Sequence, residues 1–269
     1  MQTDSVRLEK ALSDYQRPSE PACKCCRSPS AYLGSLDFNR NCLEEEGVVL
    51  PDAGVAIDYF ACPACGFVFS PCFDDWSDTE FAEHIYNDDY KIVDPDILGE
   101  RPRLNAKVLA DTFKEQARSL TLLDYGGGEG TLASLLAEAG FGKAVTFEPF
   151  DSRFTERPSE LFNVITCFEV FEHVLSPLDL ARDIAGFMAP ESMLIFSTLV
   201  QPPNFPSLGV KWRFIRPRNG HISIHSRQSL AMVLQSAGLR LVSFNDALHG
   251  AFRHRPYFAA HFIPDAFAK

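Results

Sequence analysis

No run of about 18 uninterrupted apolar residues occurs anywhere in the 269-residue chain, so the sequence offers no membrane-spanning helix. Its opening, MQTDSVRLEKALSDY, lacks the apolar core of a secretory signal, and cytoplasmic residence is the expectation. A broad positive field is missing too. Lysine and arginine number 25 against 36 aspartates and glutamates, a formal charge of −11, which makes nucleic acid a poor partner. One local exception, Lys211, Arg213, Arg216 and Arg218 around Trp212, reads more naturally as a solvated loop than as a seat for an anionic substrate. There is no internal repeat and no low-complexity tract, and nothing indicates an oligomeric state.

What the chain does contain is apolar residues, 46% of the total, enough for a sizeable core. It also holds eight cysteines, six of them before residue 66. Cys62-Pro-Ala-Cys65-Gly66 has zinc-knuckle spacing, and Cys23 and Cys26 repeat it about 35 residues earlier. Without an export signal, this spacing points to a structural zinc held by four thiolates rather than to disulfides. Cys25 is then spare, although a register that uses it stays open. Cys42, Cys72 and Cys167 read as ordinary small buried residues.

These patterns divide the chain into a leader (1–20), a zinc-ribbon-like module (21–72) with short β-like runs, a linking segment (73–118) with a helical pattern over 104–117, and a larger domain (119–269). In the last, strand-like runs at 120–125, 144–148, 164–168, 193–198, 239–244 and 257–262 alternate with helical patterns at 131–139, 178–188 and 227–237. Such alternation implies an α/β fold with a mainly parallel sheet covered on both faces.

The first of these strands runs into Asp124-Tyr125-Gly126-Gly127-Gly128-Glu129-Gly130. Glycines there allow positive φ and close approach of a ligand to the backbone, and the next helix offers its N-terminal N–H groups. A dinucleotide fingerprint would need a third glycine where Thr131 stands. The D-x-G-x-G-x-G spacing instead resembles motif I of the class I S-adenosylmethionine-dependent methyltransferases, of the type 11, 12 and 23 kind. That resemblance implies a Rossmann-like, mainly parallel seven-stranded sheet. It implies a cofactor site in which Gly126 and Gly128 face the methionine part, Asp124 orients the loop or meets the amine, and Gly130 belongs to the cofactor-binding set. Glu148, about twenty residues beyond the turn, is the expected ribose ligand. Only fifteen residues separate it from Val164, so the third strand is expected to be shortened; Asp151 is a weak candidate for the adenine.

The run FNVITCFEVFEHVLSPL resembles the fourth-strand motif of methyltransferases, a strand followed by E-x-x-E-H. Glu169 joins the cofactor-binding set on that resemblance, and Glu172, His173 and His221 are the candidate catalytic residues, the last from GHISIHS, which also has counterparts in these enzymes. Three roles stay open for the glutamates and histidine: a second divalent cation at Glu169, Glu172 and His173, with His221 or His225 as a further ligand; a general base; or a helix cap beneath the cofactor. The cysteine half resembles the N-terminal zinc-binding domain of some sugar C-methyltransferases, which carry a further C-terminal domain that this length cannot hold.

The expected function is S-adenosylmethionine-dependent methylation of a small polar acceptor, such as a sugar, a nucleotide-linked sugar or a glycan. The alternatives are metal-assisted O-methylation of a phenol or ribose hydroxyl, and a catalytically silent cofactor-binding protein whose zinc module recruits a partner.

Overall fold

A cysteine-rich stretch and a stretch of alternating apolar strands and helices fold into two compact units in the computed structural model, which describes residues 8, 11, 12, 14–96, 99–150 and 152–259. One unit comprises Met1–Pro95, Glu172–Pro177 and Leu199–Leu230; the other comprises Asp96–Phe171, Leu178–Thr198 and Ala231–Lys269. The segment Leu199–Leu230, continuous in sequence with the methyltransferase-like half, therefore lies in the cysteine-rich unit.

In chain order the strands are β1 (Ala31–Asp37), β2 (Ala56–Ala61), β3 (Val68–Phe69), β4 (Thr121–Tyr125), β5 (Lys143–Phe147), β6 (Phe162–Phe168), β7 (Met188–Ser197), β8 (Ser223–Ile224), β9 (Arg240–Ser243) and β10 (Leu248–Phe252). In the second unit they form a sheet of order β5-β4-β6-β7-β10-β9. β5, β4, β6 and β7 are parallel neighbours, and β10 runs antiparallel to both β7 and β9. The central strands are apolar almost throughout, as strands covered on both faces must be: Val164, Ile165 and Cys167 of β6 and Leu122 and Leu123 of β4 are fully buried. Helix Thr131–Glu138 turns Leu132, Ala133 and Leu136 inward, and helix Glu100–Thr112 buries Ala106 and Leu109 in the same core as Leu122 and Val164.

Among the described residues this sheet has six strands, where seven were expected. Between β5 and β6 the described residues form no strand, because the connection is too short for a full helix and strand. Arg157 lies there instead, over the Phe187 ring at 4.2 Å and ion-paired to Asp183 at 2.6 Å, while Tyr125 donates to the same carboxylate at 2.8 Å. Asp151 lies outside the described residues. The strand expected at 257–262 is also displaced. Tyr257–Ala259 is a 3-10 turn, residues 260–262 lie outside the described set, and the last strand among the described residues is β10.

The first unit is built on an antiparallel sheet, β1-β2-β3-β8. The turn from β2 to β3 is the Cys62–Cys65 knuckle, closed by bonds from Cys62 N to Phe67 O (2.8 Å) and Gly66 N to Cys62 O (2.9 Å). The earlier knuckle repeats the device with Arg27, at φ +65°, standing where the second has Gly66, at φ +75°. No helix among the described residues is long and apolar enough to cross a membrane.

Candidate functional site

In the second unit the chain passes from β4 outward to β5 and then crosses to β6 on the other side of β4. Ligands of open α/β sheets bind where the strand order reverses in this way, beyond the carboxyl ends of the strands. The glycine turn lies there. Gly126 has φ +71°, and a Cβ on it would come within 2.7 Å of Val170 Cγ2; Gly128 has φ +53° with nothing within 4 Å of where its Cβ would be. The first glycine is thus demanded by packing and the second leaves open space. Gly130, also in the left-handed region, caps helix Thr131–Glu138 without giving its first-turn N–H groups a side-chain acceptor.

Two carboxylates frame the turn. Asp124 is only 3% exposed and accepts a bond from Thr166 Oγ1 at 2.7 Å across the β4–β6 register. Burial pushes its carboxyl up to about 7, against the lowering by Thr166 and with a further push from the charge of Glu148. Its Oδ2 would lie 2.2 Å from a Cβ at position 127, so Asp124 braces the loop from beneath. Glu148 ends the β5 side. Its Oε2 accepts from Gly128 N at 3.1 Å and its Oε1 from Phe150 N at 3.2 Å, which spans the turn with one side chain.

Glu169 follows β6 with φ +55°, a backbone that costs a non-glycine residue roughly 1–3 kcal/mol and persists only where its surroundings enforce it. Ser197 does so. Its Oγ accepts from Glu169 N at 2.9 Å and donates to Glu169 Oε1 at 2.5 Å.

The first unit brings together two groups of ligating side chains. The Sγ atoms of Cys23, Cys26, Cys62 and Cys65 all lie within 4.8 Å of one another, with Cys23–Cys65 at 3.6 Å and Cys26–Cys62 at 3.4 Å. Thiolates at ~2.3 Å from a tetrahedral zinc stand about 3.8 Å apart, so the set fits that ion. A hydrogen bond from the Cys25 side chain, with backbone N–H groups of Cys26 and Cys25, holds Cys23 down at about 4, whereas burial pushes Cys62 and Cys65 up. A cation among the four sulfurs would offset the cost of burying them as thiolates. Cys25 stands outside the four, as the knuckle spacing requires.

The second group is Glu172, His173 and His221, whose ligand atoms also lie within 4.8 Å of one another. Glu172 is wholly buried. His221 Nδ1 lies 2.7 Å from the Phe214 carbonyl, and His173 Nδ1 lies 3.1 Å from the Gly220 carbonyl and 3.0 Å from the Tyr86 hydroxyl. A carbonyl can only accept, so these contacts call for a proton on each Nδ1. Among the described residues the group that converges is Glu172, His173 and His221, while Glu169, expected beside the first two, bonds Ser197. The next helix begins at Pro177, so neither Glu172 nor His173 stands at its N-cap position.

The basic cluster is not a solvated loop throughout. Lys211 and Arg213 are exposed, but Arg216 and Arg218 are buried, with guanidinium groups donating to the carbonyls of Asn41, Trp212, Ile215 and Ile85. His249 is buried between Ser243 Oγ and Thr198 O, a structural histidine. Thr166, Ser197 and Tyr86 escaped the sequence reading. Thr166 had a signal, a hydroxyl inside the apolar run FNVITCF; Tyr86 had none beyond its aromatic neighbours.

The model of a methyltransferase domain matches residues 97–244, more than half of the chain. The chain belongs to this methyltransferase family. Among curated relatives of the methyltransferase, the ubiquinone biosynthesis O-methyltransferase of Aliivibrio fischeri (strain MJ11) is 32% identical over 92 residues, 34% of this chain and 39% of that protein. That of Stutzerimonas stutzeri (strain A1501) is 28% identical over 119 residues, 42% of this chain and 51% of that protein. The match thus spans about half or less of these relatives. Among solved structures, an O-methyltransferase family protein from Burkholderia thailandensis aligns with a TM-score of 0.42 at 16% identity, covering 58% of this chain and 57% of that one. Streptomyces venezuelae DesVI aligns with 0.40 at 13%, covering 57% and 92%.

Proposed function

We propose that the chain transfers the methyl group of S-adenosylmethionine to a hydroxyl of a small polar acceptor, with Glu172, His173 and His221 acting on that hydroxyl. The observation that carries this reading is the convergence of one buried carboxylate and two imidazoles whose Nδ1 protons are fixed by backbone carbonyls. A carboxylate and two imidazoles brought together suit a divalent cation or a proton drawn from an acceptor hydroxyl. A cation held there would lower the pKa of the acceptor hydroxyl.

The glycine turn and Glu148 are assigned to the cofactor: the open space at Gly128 admits the methionine part, and the Glu148 carboxylate serves the ribose hydroxyls. Asp124, packed beneath the loop, orients it, and Gly126, Gly130 and Glu169 complete the cofactor side. The sulfonium is already a good leaving group, so the chain's task is alignment, exclusion of water and removal of the hydroxyl proton.

A sugar or nucleotide-linked sugar is the acceptor that the cysteine module's resemblance favours, with a phenol or ribose hydroxyl as the alternative, and transfer to oxygen agrees with the relatives' name of O-methyltransferase. Cys23, Cys26, Cys62 and Cys65 are assigned to a structural zinc. The test is methyl transfer to sugar nucleotides and to catechols, with and without EDTA. Transfer abolished by EDTA and restored by magnesium or manganese is the metal-assisted outcome; transfer indifferent to EDTA assigns proton removal to His173 or His221. Cofactor binding with no transfer to any acceptor would replace this reading with that of a silent binding protein.

A further inference from the structure

The four-cysteine group and the Glu172–His173–His221 group both belong to the first unit, and one strand ladder joins them. The Cys62–Cys65 knuckle leads into β3, and β3 pairs with β8 through Val68↔Ile224 and Phe69↔Ser223. Side chains just outside β8 grip the knuckle backbone. Ser226 Oγ donates to Cys65 O at 2.6 Å, Gln228 Nε2 to Ala64 O at 3.1 Å, and Gln201 Nε2 to Gly66 O at 2.7 Å. Gln201 is itself fixed by its N–H on His225 O at 2.9 Å. The other end of the same segment holds the reacting group: Ile222 N and Ser223 N both donate to Glu172 O at 2.9 Å, and Ser223 Oγ donates to Val174 O at 2.6 Å. Tyr59 of β2 adds a bond from its hydroxyl to His221 O at 3.0 Å.

We infer that the cysteine knuckle is the anchor of the reacting group, and that Ser226 and Gln201 are positioning residues that transmit its order through β8 to Glu172 and His221. The inference rests on the reading that these residues act on the acceptor. Gathering the four thiolates around zinc fixes the carbonyls of Ala64, Cys65 and Gly66, the three acceptors on which Gln228, Ser226 and Gln201 depend. Coupling of this kind is reciprocal, so order at β8 also favours retention of the ion.

The test uses the full zinc-loaded chain and its S226A/Q201A variant. Zinc content, amide exchange and transfer kinetics are measured on both, and on Ser226→Thr, which keeps the hydroxyl. Expected are one zinc per chain in each, amide exchange at Ile222 and Ser223 faster by fivefold or more in the double variant, and unchanged exchange at Gly250 and Ala251 of β10. The variant's kcat falls with KM for S-adenosylmethionine unchanged, and Ser226→Thr recovers most of the loss. Exchange within twofold of the parent, or faster exchange with kcat unchanged, overturns the inference. If the parent chain transfers no methyl group, the functional reading fails, while the exchange data still decide whether knuckle and β8 are coupled. Cys62→Ser, which removes a ligand, should accelerate the same two amides; their indifference to zinc loss would also overturn the inference.

Discussion

Replacing Asp124 with asparagine should make the chain more stable as the pH rises. The carboxyl is buried, bonded to Thr166, and held at about 7 rather than at its ordinary 3.8. Between those two values the folded chain keeps a proton that the unfolded chain has released, so stability falls as pH climbs through the window, and the full loss is present above about 7. At about 1.4 kcal/mol for each tenfold change, the interval corresponds to about 4 kcal/mol. Asparagine keeps an acceptor for Thr166 and never ionises. Urea unfolding of both proteins at about pH 4 and about pH 8 reads the difference: near equality at the lower pH, and an advantage for Asp124→Asn approaching ~4 kcal/mol at the higher. Saturating S-adenosylhomocysteine should narrow that advantage if its ammonium stabilises the ionised carboxyl. An offset between the two proteins that is the same at both pH values would refute the placement of a strained, buried acid beneath the glycine turn.

Other perturbations separate the remaining parts. Gly126→Ala forces a Cβ onto Val170 and should lower the melting temperature; Gly128→Ala meets no protein atom but is strained at φ +53°, so besides a smaller loss of stability it should weaken S-adenosylhomocysteine binding by roughly tenfold to a hundredfold, as calorimetry would show. Cys26→Ser should lose the zinc measured by elemental analysis and Cys25→Ser should retain it, because only the former belongs to the four converging thiols. Glu172→Gln should cut kcat by roughly 100-fold or more while leaving cofactor affinity unchanged. Ser197→Ala removes both bonds that hold Glu169 in its left-handed backbone and should destabilise the chain by about 1–3 kcal/mol in denaturant titration.

The parts legible in the sequence were those with a strong local cause. The alternation of apolar runs and helical patterns marks β4, β6 and the helices between them within a few residues, because central parallel strands must be apolar on both faces. The two C-x-x-C pairs identify their own partners, since spacing on a tight turn largely determines which sulfurs can meet. What sequence order concealed was long-range placement. Residues 199–230 follow β7 directly, yet pair through β8 with a strand more than 150 residues earlier, and this return brings His221 to Glu172. The same return buries Arg216 and Arg218, whose charges suggested solvent until backbone carbonyls from distant segments were found on their guanidinium groups. The presence of His221 beside Glu172 belongs to the same class, because no spacing rule relates positions 49 residues apart.

The central claim is methyl transfer, and the most direct measurement follows the methyl group itself. The chain is incubated with methyl-labelled S-adenosylmethionine and a small-molecule extract, and products are resolved by mass spectrometry beside a Glu172→Gln control. The account predicts label on an oxygen of a small polar product, lost in the control. Label that stays on S-adenosylmethionine although the cofactor binds, or binding of NADH in its place, would contradict it.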